Sequence, residues 1–141
     1  MKLYFIFTKK GLAVIIGTVL IALIVLSRFA SAETVYLDGS TNAKRISYLQ
    51  GLGFEIDSNC VSSKTTLIPE EFSDVYEKYN QVQREAGFDL SKYKGKTVTV
   101  YTYALKNEEN YINIMVCDGE IIGGDVSSHA LGGSMQPLKK E

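Results

Sequence analysis

Few residues in this sequence have side chains that could act on a substrate, and they are scattered. His129 is the only histidine, and its nearest carboxylate along the chain, Asp125, precedes it by four residues. Ser127 and Ser128 stand directly before His129, but a serine nucleophile and its base usually come from separate segments of a fold, so their adjacency does not indicate a hydrolase. An enzyme would have to use a carboxylate such as Asp89 or Asp125. We predict no catalytic residue, no metal site and no cofactor.

Two cysteines, Cys60 and Cys117, lie 57 positions apart. Neither belongs to a Cys-x-x-Cys or Cys/His spacing of the kind that indicates zinc. Outside the cell the two thiols could form a disulfide, and closing a loop of that length would stabilise the fold by roughly 3–4 kcal/mol if the geometry allowed it. Two unpaired, half-buried thiols are the alternative, and the sequence leaves both open.

An uncharged run over residues 11–26 follows a short basic N-terminus. Sixteen helical residues span about 24 Å, and residues up to position 30 can extend the span toward the thickness of a membrane. We therefore predict a cytoplasmic N-terminus over residues 1–10 and a transmembrane anchor over residues 11–30, oriented by the lysines that precede it. The alternative is a signal peptide that is cleaved after the small residues ending at Ala32. Both alternatives place the rest of the chain outside the cell.

The charge of the chain is unevenly distributed. Residues 1–32 carry four cations and no acid, whereas the remainder holds 11 cations and 16 acids. A mildly acidic outer domain argues against nucleic acid as a partner, because proteins that bind phosphate backbones need a basic face. We predict the membrane as one partner, through the N-terminal segment, and a protein or cell-wall component as the candidate for another.

Residues 31–40 are predicted as a spacer, and residues 41–138 as the outer domain. A first helix is predicted after Ser40 or Thr41, because apolar residues then recur at helical spacing until Gly53.

A second helix is predicted over residues 69–86. Its apolar residues form one stripe: Phe72, Val75, Tyr76, Tyr79, Val82 and Ala86. Asn80 and Gln83 gain little from helix propensity, so we expect one of them to hydrogen-bond a neighbouring loop.

Runs of alternating apolar residues predict strands. Two are short and three are longer, and they cover residues 54–57, 64–68, 96–105, 111–117 and 120–126. Asp118-Gly119 predicts a hairpin that pairs Cys117 with Glu120, and the Gly123-Gly124 pair is expected to mark a bulge. The predicted fold is α+β: a membrane helix, then a small domain with an antiparallel sheet of about three to five strands packed by two helices.

A set of short motifs runs through the outer domain. They are Ile68-Pro69-Glu70-Glu71-Phe72, Val75-Tyr76, Tyr79-Asn80-Gln81-Val82-Gln83, Gly87-Phe88-Asp89-Leu90, Tyr93-Lys94-Gly95-Lys96, Tyr101-Thr102-Tyr103 and Ile121-Ile122-Gly123-Gly124-Asp125-Val126. Over residues 41–138 this combination resembles the domain of unknown function 4830 family. The resemblance implies a small extracytoplasmic domain behind a single membrane segment, in bacteria of the Firmicutes type. It implies no activity, ligand or catalytic residue.

Tyr101, Tyr103 and Tyr111 are the candidate partner-binding residues. An exposed stripe of these rings would stack on sugars or on a peptide, and the alternative is that they lie in the core beneath a helix. The function we expect is a non-enzymatic accessory or binding module at the cell surface. The alternatives are a surface enzyme that uses carboxylates and a regulator that acts through a membrane partner.

Overall fold

The computed structural model describes residues 35–106, 109–128 and 135–139. The predicted membrane anchor and His129 lie outside these residues. Within them, no helix is both long enough and apolar enough to cross a membrane. The described residues from Tyr36 onward belong to one folded unit.

A five-stranded antiparallel sheet forms the centre of the domain, and its strands lie side by side in chain order. The strands are β1 (Ile56–Leu67), β2 (Thr97–Leu105), β3 (Asn110–Cys117), β4 (Glu120–Ser128) and β5 (Met135–Pro137). The helices are α1 (Asn42–Gly51), α2 (Asp74–Glu85) and a short 3-10 helix (Leu90–Tyr93). The predicted α+β domain, an antiparallel sheet with two α-helices, is confirmed.

The turn between β3 and β4 is the one that Asp118-Gly119 predicts. Both residues have positive φ, 50° at Asp118 and 84° at Gly119, as a tight two-residue hairpin of type I′ requires. Cys117 pairs with Glu120 across the turn, so the predicted pairing is confirmed.

A bulge in β4 lies beside two consecutive glycines, Gly123 and Gly124. The register against β3 shifts there and leaves Ile122 as the extra residue. Other parts of the chain approach the glycines closely: a Cβ on Gly123 would lie 2.8 Å from Gln83 Oε1, and one on Gly124 would lie 2.7 Å from the backbone oxygen of Asn113. The expected bulge is confirmed, and these approaches explain why neither position carries a side chain.

Residues 56–67 form one long strand where the sequence predicts two short ones. The register against β2 shifts twice, between Ile56 and Cys60 and between Cys60 and Ser62. Such irregularities interrupt the alternation of a strand, which is why its middle carries no clear period-two signal.

A helix covers each face of the sheet. Tyr103 and Ile114 pack with Leu49 of α1 in one buried cluster, and we call this side the α1 face. Met115 follows Ile114 and therefore points the other way; with Val98 it belongs to a second cluster, on the side that we call the α2 face. Three aromatic residues pack against this second cluster: Phe72, Tyr76 and Tyr79.

Helix α2 begins at Asp74, five residues after the predicted start at Pro69. Ser73 caps it, because its side chain accepts a hydrogen bond from the backbone three residues on. Before the cap, the backbone of Ile68 is hydrogen-bonded to residues 95 and 96, directly before β2. Val75 therefore falls in the first turn, where 78% of it is exposed, and the prediction that it belongs to the buried stripe is wrong.

Part of the predicted spacer belongs to the folded domain. Leu37 O accepts a hydrogen bond from Ile121 N at 2.7 Å, and Gly39 N donates to Gly119 O at 2.8 Å. Residues 37–39 therefore lie along the start of β4, on the side of that strand away from β3.

Cys60 and Cys117 are both free thiols. Cys60 pairs with Tyr103, which pairs with Ile112 in β3, and Cys117 lies five residues farther along that strand. The offset is about 16 Å along the strand direction, more than twice the span of roughly 7 Å that a disulfide bridges. The alternative of unpaired thiols holds.

Asn80 joins α2 to the 3-10 helix. It is fully buried, its Oδ1 accepts from Leu90 N at 2.8 Å, and its Nδ2 donates to Asp89 Oδ1 at 3.0 Å. The expectation that an amide of this helix bonds a neighbouring loop is confirmed.

Replacing Asn80 with alanine should lower the free energy of unfolding by about 2–3 kcal/mol, because the buried N–H of Leu90 loses its acceptor. Urea denaturation of the full chain, followed by circular dichroism, measures the change. Gln81→Ala is the matched control, since Gln81 is the exposed neighbour on the same helix, and its effect should stay below about 0.5 kcal/mol. Equal effects at the two positions would contradict the role assigned to Asn80.

Candidate functional site

Tyr103 lies in the core of the domain. It is fully buried, and its hydroxyl accepts from Arg45 Nε and donates to Asn42 Oδ1, each at 2.8 Å. Arg45 and Asn42 belong to α1, so this hydroxyl ties the sheet to the helix. Tyr103 has no surface with which to contact a partner, and the alternative that it is a core residue holds.

Tyr101 lies beside Tyr103 on the α1 face and is half-buried. The guanidinium of Arg45 lies 3.6 Å from the centre of its ring. Cations bind the faces of aromatic rings favourably. One face of the Tyr101 ring is therefore occupied by the chain's own arginine.

Tyr111 lies on the opposite face of the sheet from the other two tyrosines. Tyr103 pairs with Ile112, and Ala104 pairs with Tyr111. Because side chains alternate along a strand, Tyr111 shares its face with Ala104 and not with Tyr101 or Tyr103. The three candidate tyrosines therefore form no common stripe, and Tyr111 is the one on the α2 face.

Asp89 caps the 3-10 helix. Its Oδ1 accepts from Ser91 Oγ at 2.7 Å, from Ser91 N at 3.1 Å and from Asn80 Nδ2. The hydrogen bonds from the side chains of Ser91 and Asn80 hold the pKa of Asp89 at about 2. A carboxylate held ionised in this way is suited to fixing a loop rather than to transferring protons.

Asp125 is buried on the α2 face of the sheet. Its two oxygens accept hydrogen bonds from the Tyr79 hydroxyl at 3.1 Å and from Asn113 Nδ2 at 2.9 Å. Burial raises the pKa of Asp125, although both hydrogen bonds oppose the rise. Burial, reinforced by the neighbouring carboxylate, also raises the pKa of Tyr79, which therefore remains a donor.

Asn113 is held in one orientation by three neighbouring side chains. Its Nδ2 donates to Asp125 and, at 3.1 Å, to Ser127 Oγ, while its Oδ1 accepts from Thr102 Oγ1 at 2.9 Å. The Asp125 oxygen that faces Asn113 accepts from Nδ2, so this contact sets which end of the amide faces the carboxyl. The Ser127 hydroxyl is then left with a proton to donate, and Thr102 Oγ1 with a lone pair to accept.

A cleft with a volume of about 300 Å³ opens beside Asn113, and we call it the Asn113 cleft. Its described lining residues come from β1, β2, β3 and β4: Val61, Ser62, Thr102, Tyr111, Asn113, Ser127 and Ser128. The volume falls at the lower end of the range for ligand pockets. In the part of the chain that the structure describes, no three His, Cys, Asp or Glu side chains lie close enough together to hold a metal ion.

The sequence does not single out Asn113, Thr102 and Ser127 as members of one site. A weak signal was present, because Asn113 interrupts a strand between Ile112 and Ile114, and asparagine is depleted in strands. Threonine and serine are common on strand surfaces, so the other two become recognisable only when the pairing of the strands is known.

Residues 48–126 match the domain of unknown function DUF4830. The chain belongs to this family. The predicted resemblance is thereby confirmed, over a shorter range than residues 41–138. Most of the Asn113 cleft lies within the matched part of the DUF4830 domain, and Ser127 and Ser128 follow directly after it. No curated protein and no solved structure matches the chain.

The buried carboxyl of the DUF4830 domain should make its stability depend on pH. Because burial raises the pKa of Asp125, its stabilising contribution is complete below the unfolded pKa, near 3.9, and is lost as the pH rises through the higher folded pKa. Asp125→Asn keeps the shape and removes the titration. The melting temperature of the wild type minus that of the variant should therefore decrease as the pH rises above about 4. A difference that is constant from about pH 4 to 8 would mean that burial does not shift this carboxyl.

Proposed function

We propose that this chain is a membrane-anchored binding module at the outer face of the cell, and that the Asn113 cleft is its binding site. The uncharged segment and its basic flank support the anchor. The observation that carries the binding role is the cleft itself, which lies on a packed sheet and is lined by polar groups that hydrogen bonds around the buried Asp125 orient. Concave sites with a few oriented polar groups are typical ligand sites.

The chemistry of the cleft favours binding over catalysis. Of its described lining residues, none is a carboxylate, a histidine, a lysine or a cysteine. Asp125 contacts Asn113 behind the lining and orients its amide. General acid–base catalysis needs a titratable group within hydrogen-bond reach of the substrate, and the described lining supplies only the phenol of Tyr111.

An enzyme that uses Asp125 is the second candidate function. A raised pKa on a buried carboxyl is a feature that catalytic acids share. Tyr79 and Asn113 engage both of its oxygens, however, so a substrate would have to displace one of them. A turnover activity of the full chain that Asp125→Asn abolishes without unfolding the domain would favour this candidate.

The anchor predicts that the full chain stays in the membrane. In the source bacterium it should resist extraction by salt, because an uncharged apolar segment of this length partitions into the hydrocarbon core. Protease added outside intact protoplasts should remove the outer domain. N-terminal sequencing of the protein in the membrane fraction shows whether the segment is kept as an anchor or cleaved as a signal peptide. A mature chain that begins at Glu33 would contradict the anchor and favour secretion.

Filling the cleft should weaken binding. Ser62 is exposed on β1 and lines the cleft, so Ser62→Tyr places a bulky ring in it without entering the core. Ser63→Tyr is the matched control, because Ser63 is also exposed and pairs with Tyr101 on the opposite face. Isolated envelopes of the source bacterium are sedimented with the full chain in detergent. The Ser62 variant should bind about tenfold more weakly than the wild type, a loss of about 1.4 kcal/mol.

The two tyrosine variants should melt at similar temperatures, which excludes misfolding as the cause of the loss. If the wild type does not bind the envelopes, or if all three proteins bind equally, the cleft is not a binding site.

A further inference from the structure

The described lining residues of the Asn113 cleft include no acidic or basic side chain. Five of them are serine, threonine or asparagine residues with a hydroxyl or amide group: Ser62, Thr102, Asn113, Ser127 and Ser128. Two others, Val61 and Tyr111, add apolar surface. Hydroxyl and amide groups both donate and accept hydrogen bonds, whereas no arginine or lysine lies among these residues to neutralise an anion.

The hydrogen bonds around Asn113 fix where this surface offers a donor and where it offers an acceptor. Asp125 fixes the amide of Asn113, which leaves a donor at Ser127 on one side and an acceptor at Thr102 on the other. A ligand that matches the cleft must therefore accept a hydrogen bond at one end and donate one at the other. A ligand hydroxyl does both.

The cleft extends across four neighbouring strands, from β1 to β4. Three strand spacings correspond to a width of roughly 14 Å. The bulge between Cys60 and Ser62 contributes two adjacent lining residues, Val61 and Ser62, at one end, and Ser127 and Ser128 lie at the other. The site is therefore wide and shallow, with space for an extended ligand that runs across the strands.

We propose that the Asn113 cleft binds a neutral saccharide, as one or two sugar rings of a glycan chain; this rests on the proposed function. Sugar hydroxyls satisfy the donor at Ser127 and the acceptor at Thr102. The C–H face of a ring packs against Tyr111, whose side chain is itself apolar in the body and polar at the tip. A purely apolar ligand would leave the oriented polar groups without partners, and an anionic ligand would find no cation among the described lining residues.

The test removes lipids and proteins from the envelope and asks whether the remaining saccharide polymers still bind the chain. Envelopes of the source bacterium are extracted with organic solvent and digested with protease, which leaves the saccharide polymers. The full chain, held in a detergent without a sugar headgroup, should sediment with this residue as well as with intact envelopes. Neutral oligosaccharides that glycoside hydrolases release from the residue, purified free of peptide, should compete for binding.

Matched hydroxyl deletions test the direction of the hydrogen bonds. Thr102→Val and Ser127→Ala should each weaken binding roughly three- to tenfold, the effect of one hydrogen bond. Ser63→Ala removes an equivalent hydroxyl from the opposite face and should leave binding unchanged. Binding should also persist in about 1 M salt, because a neutral ligand is not subject to ionic screening.

The outcomes distinguish this inference from the proposed function. If Ser62→Tyr weakens binding but protease digestion or solvent extraction of the envelopes abolishes it, the ligand is not a saccharide. The proposal that the cleft is a binding site then still stands. Steep weakening by salt, failure of the neutral oligosaccharides to compete, or equal effects of Ser127→Ala and Ser63→Ala would also contradict the saccharide ligand. If Ser62→Tyr leaves binding unchanged, both the binding role of the cleft and the saccharide ligand are contradicted.

Discussion

Helix α2 is joined to strand β4 through the side chain of Gln83, and the arrangement of the whole α2 face depends on this contact. Gln83 is fully buried, and its Oε1 accepts from Gly124 N at 2.8 Å. The approach requires glycine at position 123, because a Cβ there would lie 2.8 Å from the same oxygen. Gln83 Nε2 has no hydrogen-bond partner among the described residues, which costs on the order of 1–3 kcal/mol. The apolar packing of α2 must outweigh that cost. One helical turn before Gln83, Tyr79 is thereby placed against Asp125.

Two opposing effects act on Asp125 at this contact. Removal from water disfavours the charged carboxylate, while the hydrogen bonds from Tyr79 and Asn113 favour it. Burial is the larger effect, so the pKa of the carboxyl rises. The same burial keeps the Tyr79 hydroxyl protonated, so it can donate to the carboxyl at any ordinary pH. The Asp125 carboxyl thus links α2 to the cleft, because it contacts Tyr79 of the helix and also orients the amide of Asn113.

The α2 face divides into an apolar part, against which the helix packs, and a polar part that forms the cleft. The change occurs within one step of the strand alternation: Val100 is followed on this face by Thr102, and Met115 is preceded on it by Asn113. The hydroxyl of Tyr79 lies at this boundary, within reach of both Met115 and Asp125. The apolar part supplies the stability that holds the polar part in place, because polar groups become oriented only when a packed scaffold limits their rotamers.

The sequence by itself determined the features that local physics specifies: the capped first helix, the alternation of β2 and β3, and the hairpin at Asp118-Gly119. Each follows from residues a few positions apart, whose periodicity or backbone preference needs no distant partner. Only the tertiary structure decided which face each tyrosine occupies relative to the helices. It also decided the close approach of Gln83 to Gly123 and the position of Asn113 beside residues of three other strands. These outcomes depend on register and on which helix packs against which face. A shift of one residue in register moves every side chain of a strand to the other face of the sheet. The order of residues along one strand therefore does not specify which side chains meet in the cleft.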